Sequence, residues 1–205
     1  ISFFLVSFVI YISSYIPFML VPGPGHGIKE IFSYQFNMYA YHSGLTATHP
    51  YSSPWWSWPL LLKPVFLYLG SDFPGELVSR IVLLGNPAIW WMSIPCLIYV
   101  GWNAIKRKDR SAIFIVIPFL MQWIPYSSIT RILFLYHFFP NVPFMIFGIS
   151  YSLIDLWKKK YGNYIVFAYL SIVLICFTYF YPITSGIPIS PELAEEMKWL
   201  GSWVW

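Results

Sequence analysis

The sequence is poor in charge, because Asp, Glu, Lys and Arg make up only 10% of its 205 residues. Ordinary soluble domains carry about 25% charged residues, so the composition excludes a water-soluble globule. The net charge is +4, from 12 basic and 8 acidic residues, and no basic stripe follows any one element. We therefore expect no nucleic-acid partner, since such a surface needs clustered Lys and Arg to neutralise phosphates.

Several chemical motifs are also missing. The four histidines have no HxxxH or Cys-paired spacing, and no acidic residues cluster around them, so we expect no metal site. A GxGxxG or GxxxxGK loop for nucleotide phosphates is absent too. The two cysteines, Cys96 and Cys176, fall inside apolar runs and are interpreted as small apolar side chains. We therefore expect no cofactor.

Long apolar runs dominate what is present. A transmembrane helix needs about 20 predominantly apolar residues. Five runs reach that length, at residues 1–20, 82–105, 112–130, 133–154 and 163–182. The predicted fold class is an all-α integral membrane protein with about five transmembrane helices and one additional interfacial helix.

Lys and Arg concentrate in two short loops between the predicted spans. The loops at 106–110 and 158–160 hold 7 of the 12 basic residues. The positive-inside rule predicts that both loops are cytoplasmic, which places the C-terminus outside. Residues 21–81, 127–141 and 183–205 are then expected to meet on the outer face.

The segment at residues 21–80 is predicted to lie outside the membrane core. Two prolines and three glycines between residues 22 and 27 end the first helix. From Ile28 onward, apolar residues recur at i, i+3, i+4 and i+7, which predicts an amphipathic helix in the outer interface. A helix packed on a missing soluble domain is the open alternative. Because the chain starts within an apolar run and shows no signal peptide, we expect it to be the later part of a longer membrane protein.

The densest polar and aromatic stretch is residues 41–59, where Trp55, Trp56 and Trp58 stand among histidines, hydroxyl residues and prolines. An interfacial aromatic belt would explain the tryptophans. It would not explain the histidines and hydroxyls. We predict instead that this proline-rich loop binds a polar substrate such as a sugar, whose faces stack on aromatic rings.

Arg131 is the only charged residue between Arg110 and Asp155. A charge at membrane depth is costly and usually faces a partner or a polar cavity. The planar guanidinium suits a pair of phosphate oxygens, so Arg131 beside a hydroxyl-rich outer loop suggests glycosyl transfer from a polyprenyl phosphate. The alternatives are that Arg131 reaches the lipid headgroups and that His137 is an ordinary interfacial histidine.

Such a transfer needs a carboxylate base. The outer segments contain six carboxylates, and none stands among the His, Trp and Arg features: Glu30, Asp72, Glu76, Glu192, Glu195 and Glu196. The last three are interpreted as the solvated face of a short tail helix that Ser190 and Pro191 begin. We therefore expect the base to be absent from this chain.

Four pieces of the sequence together resemble a known family. They are residues 41–59, including His-Pro-Tyr-Ser-Ser-Pro-Trp at 49–55, Gly-Asn-Pro at 85–87, residues 131–140 with Tyr136 and His137, and residues 181–188 from Tyr-Pro to Gly-Ile-Pro. In this order they are similar to the C-terminal four-helix transmembrane region of the bacterial protein O-mannosyltransferases. The resemblance implies a GT-C type membrane glycosyltransferase. Such an enzyme moves mannose, with inversion and without a nucleotide sugar, from a polyprenyl-phosphate donor to Ser or Thr of exported proteins.

The resemblance also implies roles for individual residues. Arg131, Tyr136 and His137 would face the lipid-phosphate end of the donor. The loop would border the donor and acceptor cavity through His49, Tyr51, Ser52, Trp55, Trp56 and Trp58. The family's catalytic acid pair lies in its first outer loop, which this chain does not contain, so we assign no catalytic residue here.

The partners that the resemblance implies are membrane lipid, polyprenyl-phosphate-mannose and Ser/Thr-containing exported polypeptides. The N-terminal part of the same enzyme, or a dimer partner, would complete the site, and the expected location is the bacterial inner membrane. We predict four parts: a transmembrane helix ending the preceding region at 1–20, an outer-face loop with the interfacial helix at 21–80, a four-helix transmembrane region at 81–183, and an outer-face tail at 184–205.

Three other functions stay open at this point. A GT-C protein can serve another sugar or a lipid acceptor, because fold alone does not fix the substrate. The chain could also be a noncatalytic membrane subunit completed by a second polypeptide. A transporter part is less well supported, because transporters carry charges near the midplane and related halves, which this sequence lacks.

Overall fold

A computed structural model describes residues 2–70 and 73–205. The chain divides into two compact units, Ile1–Ala47 and Thr48–Trp205. The helices and strands in chain order are α1 (Ser2–Ser13), α2 (Ile16–Met19), α3 (Ile28–Ser43), β1 (Val65–Gly70), β2 (Ser79–Leu83), α4 (Pro87–Lys106), α5 (Arg110–Trp123), α6 (Val142–Trp157), α7 (Gly162–Ser185) and α8 (Pro191–Glu196).

The first apolar run folds as two short helices. The Ser14 hydroxyl donates to the Tyr11 carbonyl at 2.6 Å, between the end of α1 and the start of α2. A side-chain bond to the preceding turn of this kind competes with the helical ladder. The apolar stretch Phe4–Met19, which contains most of both helices, is shorter than a membrane span, and the described residues contain four helices of membrane length. That residues 1–20 cross the membrane stays a prediction. Residue 1 of the predicted span 1–20 lies outside the described residues.

The predicted amphipathic helix is confirmed as α3. It follows the proline and glycine segment directly, and Glu30 lies in its first turn, where a negative charge favours the helix dipole. Gln35 joins α3 to the first helices of the same unit, since it accepts a hydrogen bond from Tyr11 and donates one to Tyr15. Its position in the membrane interface stays a prediction.

Four helices of the second unit are long and apolar enough to cross a membrane: Pro87–Lys106, Arg110–Ser128, Leu135–Trp157 and Gly162–Ser185. Short 3-10 turns extend two of them, at Ile124–Ser128 after α5 and at Leu135–Asn141 before α6. These helices confirm the four later predicted spans and the helical membrane class. Because the chain alternates in direction, residues 106–110 and 155–160 lie at one end, here called the basic end.

The opposite end, here called the aromatic end, comprises residues 48–86, 124–141 and 186–205. Backbone bonds and side chains join all three stretches, for example Ser53 to Leu133 and Trp203 to Leu61. The predicted grouping of these stretches is therefore confirmed, whereas their position on the outer face stays a prediction. The segment 21–47 belongs to the other compact unit.

α4 lies against α5, α6 and α7, and the core between them is built from Trp90, Phe119, Phe138, Met145 and Phe180. Gly148 allows α6 to approach α4 closely, because a methyl group there would lie 2.9 Å from Leu97. Cys96 and Cys176 are free and buried in α4 and α7, as their interpretation as apolar residues predicted.

The Gly-Asn-Pro piece at 85–87 sets the start of α4. Asn86 caps the helix by accepting from the Ala88 amide at 3.0 Å, while its own amide donates to the Val173 carbonyl of α7 at 2.9 Å. Pro87 occupies the first turn, where its missing N–H costs nothing. One side chain thus begins α4 and ties it to α7.

A small antiparallel sheet was not predicted. β1 and β2 pair with a bulge between Phe66 and Tyr68. The predicted span 82–105 included Val82 and Leu83, but both belong to β2, and Val82 is buried in the protein instead of facing lipid. Apolar periodicity alone does not distinguish a short buried strand from the start of a helix.

The sheet holds the end of α7. Val78 forms a β-bridge with Ile189, and the Ser79 hydroxyl donates to the Gly186 carbonyl at 2.7 Å. Gly186 ends α7 with φ +81, a left-handed conformation that favours glycine. Beyond it, Ser190 accepts from the Leu193 amide and caps α8, so the predicted tail helix is confirmed.

Candidate functional site

The loop at residues 48–62 is irregular, and side chains from distant parts of the chain bind its carbonyl groups. Four indole N–H groups donate to it: Trp123 to Trp55 at 2.9 Å, Trp90 to Trp58 at 2.9 Å, Trp91 to Leu60 at 3.0 Å, and Trp203 to Leu61 at 2.8 Å. The Ser202 hydroxyl donates to the Leu62 carbonyl at 2.6 Å. Five donors from three other segments therefore fix the course of this loop.

Tryptophan suits this task because it combines a large apolar ring with a single N–H donor. A loop packed on a helical bundle has carbonyl groups that no helix or sheet satisfies, and leaving them unbonded is costly. Leu61 is buried with φ +56, a conformation that costs about 1–2 kcal/mol for an L-residue. The indole of Trp203 bonds its carbonyl and helps to hold this strained turn.

The three tryptophans of the loop occupy different environments. Trp58 is buried, and its indole donates to the Ser53 hydroxyl at 3.0 Å. Trp55 is half-buried with its ring 5.4 Å from that of Trp123, whereas Trp56 is 54% exposed. Of the three, Trp56 offers the most free ring surface to a bound molecule.

The segment that carries Arg131 lies directly against this loop. The Ser53 amide donates to the Leu133 carbonyl at 2.8 Å, and Leu133 and Leu135 are buried in the core. These two buried leucines anchor the segment that carries Arg131 in the core. The sequence-predicted halves of the site, the loop and the Arg131 segment, are thereby brought together.

A row of rings connects the two halves. The His49 ring lies 5.0 Å from Phe134, Phe134 stacks on Tyr136 at 5.2 Å, and Tyr136 stacks on His137 at 4.5 Å. On the other side of His137, the Trp58 ring is nearly parallel at 6.0 Å. Five rings thus form an aromatic shelf, defined here as His49, Phe134, Tyr136, His137 and Trp58.

Backbone hydrogen bonds hold the two histidines of the shelf. The Phe134 amide donates to Nδ1 of His137 at 3.2 Å, and the Tyr51 amide donates to Nδ1 of His49 at 3.2 Å. His137 is half-buried, while His49 is exposed. The Ser52 hydroxyl donates to the His49 carbonyl at 2.8 Å, so the positions of His49, Tyr51 and Ser52 depend on one another.

Arg131 lies partly exposed at the start of the segment, in a bend between helices. It stands three residues before Phe134, a ring of the aromatic shelf. A cationic fork beside stacked rings suits a ligand that has both a phosphate and a sugar, because the fork pairs with phosphate oxygens and rings stack on sugar faces.

The tail carboxylates are engaged in structural contacts. Glu195 accepts hydrogen bonds from Lys198 at 2.6 Å and from Arg80 at 3.1 Å. The bond from Lys198, and to a smaller extent the bond from Arg80, keeps the pKa of Glu195 below its ordinary value. The pKa of Glu192 is also lowered, by its own backbone amide and by Ser190. Both groups are therefore ionised at neutral pH, and Glu195 links α8 to β2. Asp72 lies outside the described residues.

Two rings of the site, Phe134 in the shelf and Tyr126 beside it, were not assigned from the sequence. Phe134 lies between His49 and Tyr136, and Tyr126 packs edge-on against Trp58 at 5.1 Å and against His137 at 5.5 Å. The available signal was their position in the turns flanking Arg131, at the ends of two predicted spans. The structure also shows that Trp90, Trp91, Trp123 and Trp203, none of them assigned to the site, support the loop.

Comparisons of this chain with a family model and with curated proteins all point to one family. Residues 28–203 match the family model described as the C-terminal four TMM region of protein-O-mannosyltransferase. The chain is 27% identical to a polyprenol-phosphate-mannose–protein mannosyltransferase of Mycobacterium tuberculosis, over 97% of this chain and 45% of that protein. It is 26% identical to dolichyl-phosphate-mannose–protein mannosyltransferase 1 of Saccharomyces cerevisiae, over 88% of this chain and 24% of that protein.

A solved structure has the same fold. The protein O-mannosyltransferase Pmt1-Pmt2 complex of S. cerevisiae, bound to the sugar donor, matches with a TM-score of 0.71 and 22% identity, over 91% of this chain and 28% of that one. The chain spans less than half the length of the relatives it matches.

Proposed function

Because the chain belongs to the protein O-mannosyltransferase family, as its C-terminal four-helix membrane region, we propose that it forms the membrane half of a glycosyltransferase. The complete enzyme moves mannose from a polyprenyl-phosphate donor to Ser or Thr of exported polypeptides. The observation that carries this proposal is the position of Arg131 beside the aromatic shelf, where the bond from Ser53 to Leu133 brings the loop and the Arg131 segment together. The name of the mycobacterial relative supplies the donor class.

In this proposal Arg131 binds the phosphate of the donor. When the bond between the sugar and the phosphate breaks, negative charge develops on the leaving phosphate. A guanidinium fixed beside that phosphate stabilises the transition state more than the ground state. Tyr136 and His137 lie next in the segment and border the same end of the donor.

The aromatic shelf and the loop border the sugar and the acceptor. His49, Tyr51, Ser52, Trp55 and Trp56 lie on the loop side of the Arg131 segment. Trp58 contributes indirectly in this proposal: its ring is buried and stacks on the ring of His137. The five donors to the loop carbonyls keep this surface in place before the substrate arrives, which lowers the cost of ordering it.

The acid pair that activates the acceptor hydroxyl lies, in this proposal, in the part of the enzyme that precedes this region. The N-terminal part of the same polypeptide therefore completes the site, and a dimer partner is a further candidate. The donor is already an activated sugar, so the reaction uses no separate cofactor. The basic end faces the cytoplasm of a bacterial inner membrane, which places the aromatic end and the C-terminus outside.

The test is mannose transfer from a polyprenyl-phosphate donor to a Ser/Thr-rich peptide by the complete protein. We expect Arg131→Ala to lower kcat about 100-fold or more, as for loss of one transition-state donor, with an unchanged unfolding temperature. Arg131→Lys, which keeps the charge but not the fork, should fall between Arg131→Ala and the native protein.

Arg80→Gln is the matched control. It removes a guanidinium from the same end of the protein, but one that is already paired with Glu195. Native-like turnover of Arg131→Ala would remove Arg131 from the site. Transfer of another sugar, or to a glycolipid in place of the peptide, would keep the fold but reject the substrate. Activity of this region without the preceding part would contradict the upstream acid pair.

A further inference from the structure

The basic end carries a groove that the proposed reaction does not use. It lies between α5 and α6, has a volume of about 540 Å³ and is lined by Arg110, Ser111, Phe114, Phe147, Tyr151 and Ile154, among others. A second groove of about 350 Å³ continues around α6, and Ser150 and Ile154 line both. Each volume lies within the range of about 300–1,000 Å³ that is typical of small-molecule sites.

The polarity of the groove changes along its length. Phe114, Phe147 and Ile154 form an apolar wall, and they are 67%, 48% and 60% exposed. Arg110 and Ser111 lie at the basic end, where α5 begins, and the Tyr151 hydroxyl reaches the same end at Asp109, whereas Phe114 and Phe147 lie farther from it. A charged head beside a long apolar wall is the pattern of an amphiphile-binding site.

The charge at this end is positive. Residues 106–110 and 155–160 contain seven basic and two acidic residues. Lys158 is paired with Asp155 at 3.0 Å, and Asp109 is occupied by the Ser111 and Ala112 amides and by the Tyr151 hydroxyl. Within the described residues, Arg110 forms no salt bridge, so its charge is available to a bound anion.

This groove is remote from Arg131. α5 begins at Arg110 and runs for 14 residues before the aromatic end is reached, which is about 20 Å at 1.5 Å per residue. A phosphate bound at Arg131 therefore cannot also contact Arg110. The groove is therefore distinct from the proposed donor-phosphate site.

We propose that the groove between α5 and α6 binds an anionic glycerophospholipid. Its phosphate contacts Arg110 and the Ser111 hydroxyl, and one acyl chain lies along Phe114, Phe147 and Ile154. Charge complementarity selects an anionic head over a zwitterionic one, and the open apolar wall of a membrane helix pair selects an acyl chain. The site fixes α5 against α6 on the side away from the aromatic end.

The experiment uses the complete protein, purified in detergent and titrated with phosphatidylglycerol or phosphatidylcholine of identical acyl chains, with bound lipid counted by native mass spectrometry. We expect phosphatidylglycerol to bind more tightly than phosphatidylcholine. Arg110→Gln should weaken phosphatidylglycerol about tenfold, as for loss of one charge-assisted contact. Lys106→Gln is the matched control, because it removes the same charge from the same end outside the groove, where Lys106 lies over the Trp102 ring.

A photoreactive acyl chain on phosphatidylglycerol then locates the lipid. Labelling of residues 110–117 and 147–154 would support the proposal. Equal binding of the two lipids, or equal weakening by Arg110→Gln and Lys106→Gln, would overturn it, since either result indicates unspecific attraction to the basic end. The proposal would also be overturned if the lipid labelled only residues outside the groove and crosslinking showed that a segment preceding this region occupies the groove.

Discussion

Gly85→Ala is expected to disturb the aromatic end through a single contact. Gly85 is buried beside the N-terminus of α4, and a methyl group there would overlap the six-membered ring of Trp90. Trp90 is itself buried, packs against Phe138 and Phe139, and donates to the Trp58 carbonyl at 2.9 Å. The ring cannot move without losing that hydrogen bond.

Two contributions set the magnitude. Forcing an extra methyl into a packed core costs about 1–3 kcal/mol. Breaking the bond from Trp90 leaves a buried indole N–H and a buried carbonyl unsatisfied, which costs a further 1–3 kcal/mol or so. We therefore expect the free energy of unfolding to fall by about 2–6 kcal/mol, which corresponds to a drop of about 4 °C or more in unfolding temperature.

Thermal unfolding of the complete protein in detergent, followed by near-UV circular dichroism, measures this drop. Gly101→Ala is the matched control, because Gly101 lies within α4 and a methyl group there meets no atom within 4 Å. That control should be neutral or stabilise by about 0.5–1 kcal/mol, the helix preference of Ala over Gly. Equal unfolding temperatures for the two variants would refute the steric argument.

A double-mutant cycle isolates the contact. Trp90→Phe removes the second ring and the N–H donor, so it destabilises alone but makes room for the methyl group. Gly85→Ala should therefore cost much less in the Trp90→Phe background than in the native one. Additive effects would show that the cost of Gly85→Ala arises from its backbone and not from Trp90.

Two other predictions concern stability. Hydrogen bonds to Asp109 lower the pKa of its carboxyl in the folded protein, the bond from the Ala112 amide most and the bond from the Tyr151 hydroxyl next. The ionised carboxyl therefore stabilises the fold above the unfolded pKa of about 3.9, and this stabilisation is lost as the pH falls through the folded pKa. The unfolding temperature of Asp109→Asn, whose amide oxygen still caps α5, should fall less between pH 5 and about 3 than that of the native protein, and parallel curves would contradict this. Ser190→Ala removes the cap of α8 and should lower the free energy of unfolding, measured by thermal unfolding, by about 1 kcal/mol. Ser190→Asp retains a cap and should cause no such loss. Equal losses in both variants would contradict the capping argument.

Much of the architecture follows from local features of the sequence. The four later spans, the basic end, α3 and α8 were all predicted, because hydropathy over about 20 residues and helix caps are properties of contiguous chain. That the first run spans the membrane stays a prediction, and composition did not show that its helix is interrupted near Ser14. Strand β2 was assigned to the next span for a similar reason, as buried strands and membrane helices share apolar residues.

The candidate site was predicted only in its outline. The residue types of 49–58 and 131–137 indicated a ligand-binding surface, and the structure brings these two stretches together. Their individual roles at the donor and acceptor stay predictions. That Trp55, Trp56 and Trp58 stack on a substrate stays a prediction, and the sequence did not show that four other indoles bind carbonyl groups of the loop.

The sequence by itself determined that this is a helical membrane protein, where its charged end lies, and which family it resembles. Only the tertiary structure decided what each aromatic side chain contacts. Trp203 bonds to Leu61 across 142 positions, and Trp123 bonds to Trp55 across 68. Hydropathy is additive along the chain and can be read from it, whereas a hydrogen-bond partner is chosen by the packing of helices that are far apart in sequence.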